Sequence, residues 1–314
     1  MKVKSLRAFA ALILALSMLC GITAFAAESE NKPFEDSMFF EYGDYSIHYR
    51  TVPAEGEQRG RILMIHGFMC STYSWRNLAA DMSRRGYECV LVDLPDFGFS
   101  TRETASTNVV PREEIITALM ESIAPTDEWI IAGHSMGGGV AINIAAVNPV
   151  KALLLYCPCP QPTFPAFLER IVKTKLVENM TDTFLRLGVR IDPLVRAVIF
   201  AATADYEFAK EYDLSGVTDP VFYDGFGKGI CEMMYNVQPT DLEKAKNITA
   251  PVLLCQAEKD VILTSAQKTE INETFDFAEQ HVLAGAGHQC IENRSAELSE
   301  ITDGFLTANG VAGA

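Results

Sequence analysis

Residues 128–147 read Glu128-Trp-Ile-Ile-Ala132, then Gly133-His-Ser-Met-Gly137, then Gly138-Gly-Val-Ala-Ile-Asn-Ile-Ala-Ala-Val147. The first part is a short apolar run, the pattern of a buried strand, and the last has the length and apolar content of a helix. Between them G-x-S-x-G marks a tight strand-to-helix turn. Such a turn strains the backbone of its central residue, and side chains two positions before and after it would collide, so both places take glycine. Ser135 is then pushed out of the sheet with its Oγ exposed at the helix N-terminus, which makes it the candidate nucleophile.

The same rhythm extends to both sides. Residues 42–51 read as a hairpin turning at Gly43-Asp44; 61–66, 88–93 and 151–156 are short apolar runs; 75–85 and 113–123 have helical spacing. Short buried strands alternating with helices predict an α/β fold with a mostly parallel, doubly wound sheet. The stretch Cys157-Pro-Cys-Pro-Gln-Pro162 breaks the rhythm, and the chain beyond it is helix-like over 167–177, 182–187 and 194–202 without a strand. Strand and helix return at 250–255, 265–275, 279–283 and 296–307. The expected organisation is a core of residues 27–160 and 249–314 with a helical cap or lid, 161–248, inserted over one end of the sheet.

Residues 1–26 read as a secretory signal: Lys2, Lys4 and Arg7, an apolar run from Ala8 to Leu19, and the cleavage text Ala24-Phe25-Ala26. The run is short of the roughly 20 residues a membrane-crossing helix needs, so the expectation is an exported, soluble chain beginning at Ala27, with no stable membrane insertion. The 314 residues carry 41 acidic and 26 basic side chains; removing three positive residues and no acid takes the formal charge from −15 to −18. That balance excludes an electrostatic footprint on nucleic acid, which needs a basic face.

Seven cysteines remain after such processing, mostly in or beside apolar runs, where a free thiol packs as a small hydrophobe. Cys157-Pro-Cys159 lacks the two-residue spacer of a zinc knuckle, and Gly225-Phe-Gly-Lys-Gly229 lacks the preceding strand of a dinucleotide loop. No metal and no organic cofactor is implied. Four N-x-S/T sequons begin at Asn179, Asn247, Asn272 and Asn293.

A serine needs a general base, and the base needs a carboxylate to orient it. Of five histidines, His48 lies in the hairpin, His66 ends a strand, and His134 sits inside the turn with its ring pointing away from the hydroxyl. His281 belongs to a strand-like run. His288, after Gly285-Ala-Gly287, lies on a loop that can reach the sheet edge and is the candidate base, with His281 the competitor. Asp260, in the loop after strand 252–255 and one strand–helix–strand step before His288, is the candidate acid, with Glu258 the competitor. An oxyanion hole needs two backbone donors: the amide of Met136, next to the nucleophile, and that of Phe68, after His66-Gly67.

Taken together, Ile65-His-Gly-Phe68, Asp93-Leu-Pro-Asp-Phe-Gly-Phe-Ser100, Gly133-His-Ser-Met-Gly-Gly138, Asp260 and Gly287-His288 resemble the α/β-hydrolase superfamily, over nearly all of the chain outside the insertion. The likeness is strongest to its capped branch of esterases, lipases, epoxide hydrolases and haloalkane dehalogenases. It implies a mostly parallel eight-stranded sheet with a cap after the sixth strand. Epoxide hydrolases and dehalogenases use an aspartate nucleophile, so Ser135 points to the serine hydrolases. Asp96 stands where glycine is common, and Gln256-Ala257 replaces a usual glycine before the acid loop.

The expected function is that of a secreted serine hydrolase cleaving a carboxylic ester of an apolar small molecule or lipid through an acyl-enzyme. Amide, peptide or C–C bond cleavage would use the same three side chains. A non-catalytic ligand-binding member of the fold is the reading from a different class, since fold alone does not imply activity.

Overall fold

A computed structural model describes residues 33–102, 110–159, 174–223, 225–236 and 240–312. The signal-like residues 1–26 and the first part of the insertion lie outside them.

Strands β1 (Met38–Tyr42) and β2 (Tyr45–Val52) form the hairpin, with Gly43 at φ +58° between paired Tyr42 and Tyr45. Strand β3 (Gly60–Ile65), helix α1 (Arg76–Arg84), strand β4 (Tyr87–Val92), helix α2 (Arg112–Ile123), strand β5 (Trp129–His134), helix α3 (Met136–Val147) and strand β6 (Ala152–Tyr156) come after it in chain order. Among the described residues, five helices come next: α4 (Lys175–Gly188), α5 (Asp192–Thr203), α6 (Tyr206–Glu211), α7 (Ser215–Phe222) and α8 (Phe226–Asn236). The chain then re-enters the sheet as β7 (Val252–Ala257), α9 (Ser265–Thr274) and β8 (Glu279–Leu283), and ends with α10 (Cys290–Asn293) and α11 (Ser295–Ala308).

The eight strands form one sheet in the order β1-β2-β4-β3-β5-β6-β7-β8, antiparallel at β1–β2 and β2–β4 and parallel elsewhere. Buried strands alternate between two cores. Leu63, Ile65, Val90, Val92 and Ile131 face α2, α3 and α9. Ile62, Met64, Leu91, Ile130 and Leu154 face α1 and α11. Because both faces are covered, the strand residues are apolar throughout rather than alternating. Truncating one of them, such as Ile131, would cost about 2–5 kcal/mol in lost burial and cavity.

One part of the insertion differs from the sequence reading. Residues 175–188 are a single helix, whereas two pieces, 167–177 and 182–187, are expected from the pattern. The first piece falls mostly on residues that are not described. No Gly or Pro interrupts 178–181, Thr174 Oγ1 accepts the Val177 amide at the N-terminus, and Asp182 accepts the Gly227 amide of α8, so tertiary contact carries the helix through.

The insertion sits over the carboxyl ends of the strands. Tyr73, after β3, packs edge-on against Tyr212; Arg102, after β4, reaches the Pro220 carbonyl; and the loop after β8 is hydrogen-bonded to the end of α5. Among the described residues no helix is long and apolar enough to cross a membrane.

Candidate active site

The sharp turn after β5 is the origin of the site. Ser135 has φ +52° and ψ −123°, a backbone state that L-residues rarely occupy, and it stands immediately before α3. A Cβ on Gly137 would lie 2.3 Å from the Ile65 carbonyl oxygen, and one on Gly133 would lie 2.5 Å from the Gly137 oxygen. Both glycines are therefore required by close backbone approach. The backbone of Ser135 is held by β6 and its exit: its N–H donates to the Tyr156 carbonyl at 3.1 Å, and its carbonyl accepts the Cys159 amide at 2.8 Å.

The loop after β8 brings His288 onto this serine, and the loop after β7 brings Asp260 onto His288. Ser135 Oγ lies 2.8 Å from His288 Nε2, and His288 Nδ1 lies 2.8 Å from Asp260 Oδ2. The other carboxylate oxygen of Asp260 accepts the amides of Ile262 and Leu263 at 2.8 and 3.0 Å. Burial by itself would raise the Asp260 pKa. The hydrogen bond and charge of His288, together with these two amides, outweigh burial and hold the carboxyl below its ordinary range. Asp260 is thus an anion whose lone pairs are aimed at the imidazole.

Ser135 is not in the open, as the turn alone suggests; it is 7% exposed. The ring of His288 covers it, and the turn after β3 closes it from the side, where a Cβ on Gly67 would come within 2.8 Å of the Ser135 Cβ. That turn carries Phe68, whose ring packs edge-on against Phe97. His66 shapes it: Nδ1–H donates to the Gly67 carbonyl at 2.7 Å and Nε2 accepts the Leu94 amide at 3.0 Å, and burial lowers the imidazole pKa, so the ring is neutral. The amide of Met136 is the first of α3, among those with no acceptor inside the helix, and it adjoins the nucleophile.

The competing residues lie elsewhere. His281 is in the edge strand β8, half-buried and paired with Glu279 at 2.8 Å. Exposed Glu258 accepts the Gly285 amide at 2.7 Å and braces a turn.

Several residues that support the site carry no motif. Glu292 is buried and accepts from Arg76 Nη1 and from the Tyr212 hydroxyl, both at 2.6 Å, and from Gln289 Nε2 at 3.0 Å, joining α1, the insertion and the turn after His288. A second buried relay, Ser37–His48–Asp93, has spacings of 2.8 and 2.7 Å, close to those of the first. It lies at most 1% exposed, and the Ser37 oxygen already accepts the Phe34 amide, so it serves as a brace for the Asp93 loop. Asp96, in that loop, takes φ +75°, a turn position aspartate tolerates. For a metal, the described residues offer one grouping, Cys157, Asp260 and His288, with ligand atoms within 4.8 Å. Two of its three members are engaged with each other.

The sequence profile described as "Alpha/beta hydrolase family" matches residues 62–301. The chain is 24% identical over 269 residues to a probable lysophospholipase, BODYGUARD 4, of Arabidopsis thaliana, covering 78% of this chain and 63% of that protein, under two thirds of its length. It is 22% identical over 284 residues to the monoacylglycerol lipase abhd6-A of Xenopus laevis, covering 86% of this chain and 82% of that one. Among solved structures, a membrane phospholipase A superposes with a TM-score of 0.66 at 20% identity, over 87% of this chain and 86% of that one, a likeness of fold. With the profile spanning β3 to α11 and the sheet order and turn geometry agreeing with it, the chain belongs to the alpha/beta hydrolase family.

Proposed function

We propose that this protein is an exported serine hydrolase that cleaves a carboxylic ester of an apolar small molecule or lipid. The observation that carries the reading is the continuous hydrogen-bonded chain Ser135 Oγ, His288 Nε2, His288 Nδ1, Asp260 Oδ2, with both links at 2.8 Å. In that chain Ser135 Oγ attacks the ester carbonyl carbon while its proton passes to His288 Nε2. Asp260 keeps the imidazole in the tautomer that can accept it and stabilises the imidazolium that results. The oxyanion lies against the amides of Phe68 and Met136, the latter at the positive end of α3. Collapse of the tetrahedral adduct expels the alkoxide, which takes the proton from His288, and leaves the acyl group on Ser135. A water, deprotonated by His288, then frees the acid and regenerates the serine. No metal or organic cofactor takes part in these steps.

The apolar substrate rests on the surroundings. Met69, beside Phe68, is 42% exposed, and Val261 and Ile262, beside Asp260, are 59% and 43% exposed. Helix α5, which touches the His288 loop, exposes Leu194, Val198 and Phe200. Two similar proteins bear the names monoacylglycerol lipase and probable lysophospholipase, both acting on fatty acyl esters by name. Export rests on residues 1–26.

The test is hydrolysis by purified protein of nitrophenyl esters of increasing chain length, the matching anilides, and monoacylglycerols. Ester turnover that rises with chain length, with anilides at least about 100-fold slower, is expected. Anilide turnover matching that of esters would replace the ester reading with amide hydrolysis.

A further inference from the structure

We propose that Cys157 and Cys290 are a disulfide site: in a chain that folds under oxidising conditions the two sulfurs are bonded, tying the backbone behind the nucleophile to the turn that carries the base. Their Sγ atoms are 3.7 Å apart, and both residues are fully buried in the same core. Formation of the bond asks for an approach of less than about 2 Å, within reach of side-chain rotation. This inference is independent of the ester reading.

A second observation concerns the backbone. Cys157 holds φ +45°, the left-handed region that crowds a Cβ and is ordinarily given to glycine or asparagine. Tyr156, just before Cys157, and Cys159, two residues after it, both hydrogen-bond the Ser135 backbone. Cys290 opens α10 two residues after His288. The other thiols are placed differently: Cys89 shares this core but sits on β4, three strands from β6, Cys231 is buried in α8 of the insertion, and Cys70 and Cys159 each accept from a glutamine amide. Cys255 lies on the adjacent strand β7, where its carbonyl accepts the Cys157 amide, and is the competing partner.

The chemistry is thiol–disulfide exchange. One thiolate attacks a small-molecule disulfide such as oxidised glutathione, releasing one glutathione thiolate and leaving a mixed disulfide. The second cysteine, having lost its proton, attacks that protein sulfur and releases the other glutathione. Two protons and two electrons leave the protein and one S–S bond is gained. Since both sulfurs are covered in the folded state, the exchange takes place before the core closes. The bond spans 133 positions, enclosing the whole insertion and the Asp260 loop, so it restrains the unfolded chain over much of its length.

The test uses the full chain, refolded in a glutathione redox buffer, denatured without reductant, alkylated with iodoacetamide and digested with trypsin. The expected product joins the peptide of residues 152–170 to that of 269–294, lighter by two hydrogens than the separate peptides, with fragmentation assigning the link to Cys157. It should vanish with dithiothreitol and in Cys290→Ser, and persist in Cys255→Ser. Oxidised wild type should melt roughly 5 °C or more above the reduced protein, a comparison that needs no variant to fold. Recovery of both residues alkylated, or a link from 269–294 to the Cys255 peptide 247–259, would overturn the assignment.

Discussion

His134 Nε2 lies 2.9 Å from the backbone carbonyl of His288, so the residue preceding the nucleophile donates a hydrogen bond that positions the residue carrying the base. With the proton on Nε2, its buried Nδ1 has no hydrogen-bond partner among the described residues, and burial followed by the charge of His288 lowers the imidazole pKa to about 3. His134 is thus a neutral brace. Replacing it by Gln keeps a donor at similar reach, whereas Phe removes it. The expected result is kcat near wild type for His134→Gln and a fall of about tenfold for His134→Phe, the value of one hydrogen bond. Equal activity in both variants would show that the tether does not position His288.

The same residue gives the protein an acid sensitivity. In the unfolded chain His134 binds a proton near its ordinary pKa of 6.5, but in the folded protein it stays neutral down to about 3. Between those values the unfolded state holds more protons, so stability is full above pH 6.5 and declines as pH falls, by at most about 1.4 kcal/mol per pH unit. Asp260, whose folded pKa is depressed, adds a loss of the same sign at lower pH. Urea unfolding of wild type and His134→Gln at about pH 7.5, 6 and 5 checks this: the variant should lose less stability on acidification. Parallel pH profiles would rule His134 out as the source.

Removing the nucleophile tests the site most directly. Ser135→Ala should abolish labelling by a fluorophosphonate probe and lower turnover by about 10³-fold or more, with an unchanged melting temperature within a few degrees. Undiminished hydrolysis would mean that another group attacks the substrate.

The two carboxylates of the acid loop are expected to behave differently. Asp260→Asn removes the anion that fixes the tautomer of His288 and should lower kcat by roughly 10⁴. Exposed Glu258 braces only the Gly285 amide, so Glu258→Gln should stay within about threefold of wild type. Steady-state kinetics on one nitrophenyl ester ranks them, and the reverse order would move the acid to Glu258.

The base loop is clasped by the insertion. The Gly287 amide donates to the Thr203 carbonyl at 3.1 Å and the Gln289 amide to the Ala202 carbonyl at 2.9 Å, on either side of His288. A Cβ at Gly287 would lie 2.4 Å from the Ala202 oxygen, so Gly287→Ala must push α5 and the loop apart. Expected are a loss of about 1–3 kcal/mol in stability and at least a roughly tenfold fall in kcat/KM. Wild-type kinetics in a folded Gly287→Ala protein would mean that the clasp does not position the base.

Much of this arrangement was written locally. The turn at Ser135 is legible because two glycines, a strand and a helix stand within about twenty residues and each is demanded by short-range sterics. The strands are legible because burial on both faces leaves near-continuous apolar runs, and the exit at Cys157-Pro-Cys-Pro because proline stops both strand and helix. The positions of Asp260 and His288 could be narrowed by chain order and by elimination among five histidines. What local chemistry does not encode is contact between distant segments. That Ser135 is covered rather than exposed depends on where the Gly67 turn and the His288 ring come to rest. Helix α4 runs unbroken because α8 packs on it, and His134, Glu292, Arg76, Tyr212 and the Ala202–Thr203 corner support the site from up to 154 and 216 positions away along the chain. Such residues carry no motif, since a hydrogen bond to a backbone carbonyl or a buried charge pair needs only one suitable atom, and which atom it meets is settled by the packing of the sheet and the insertion.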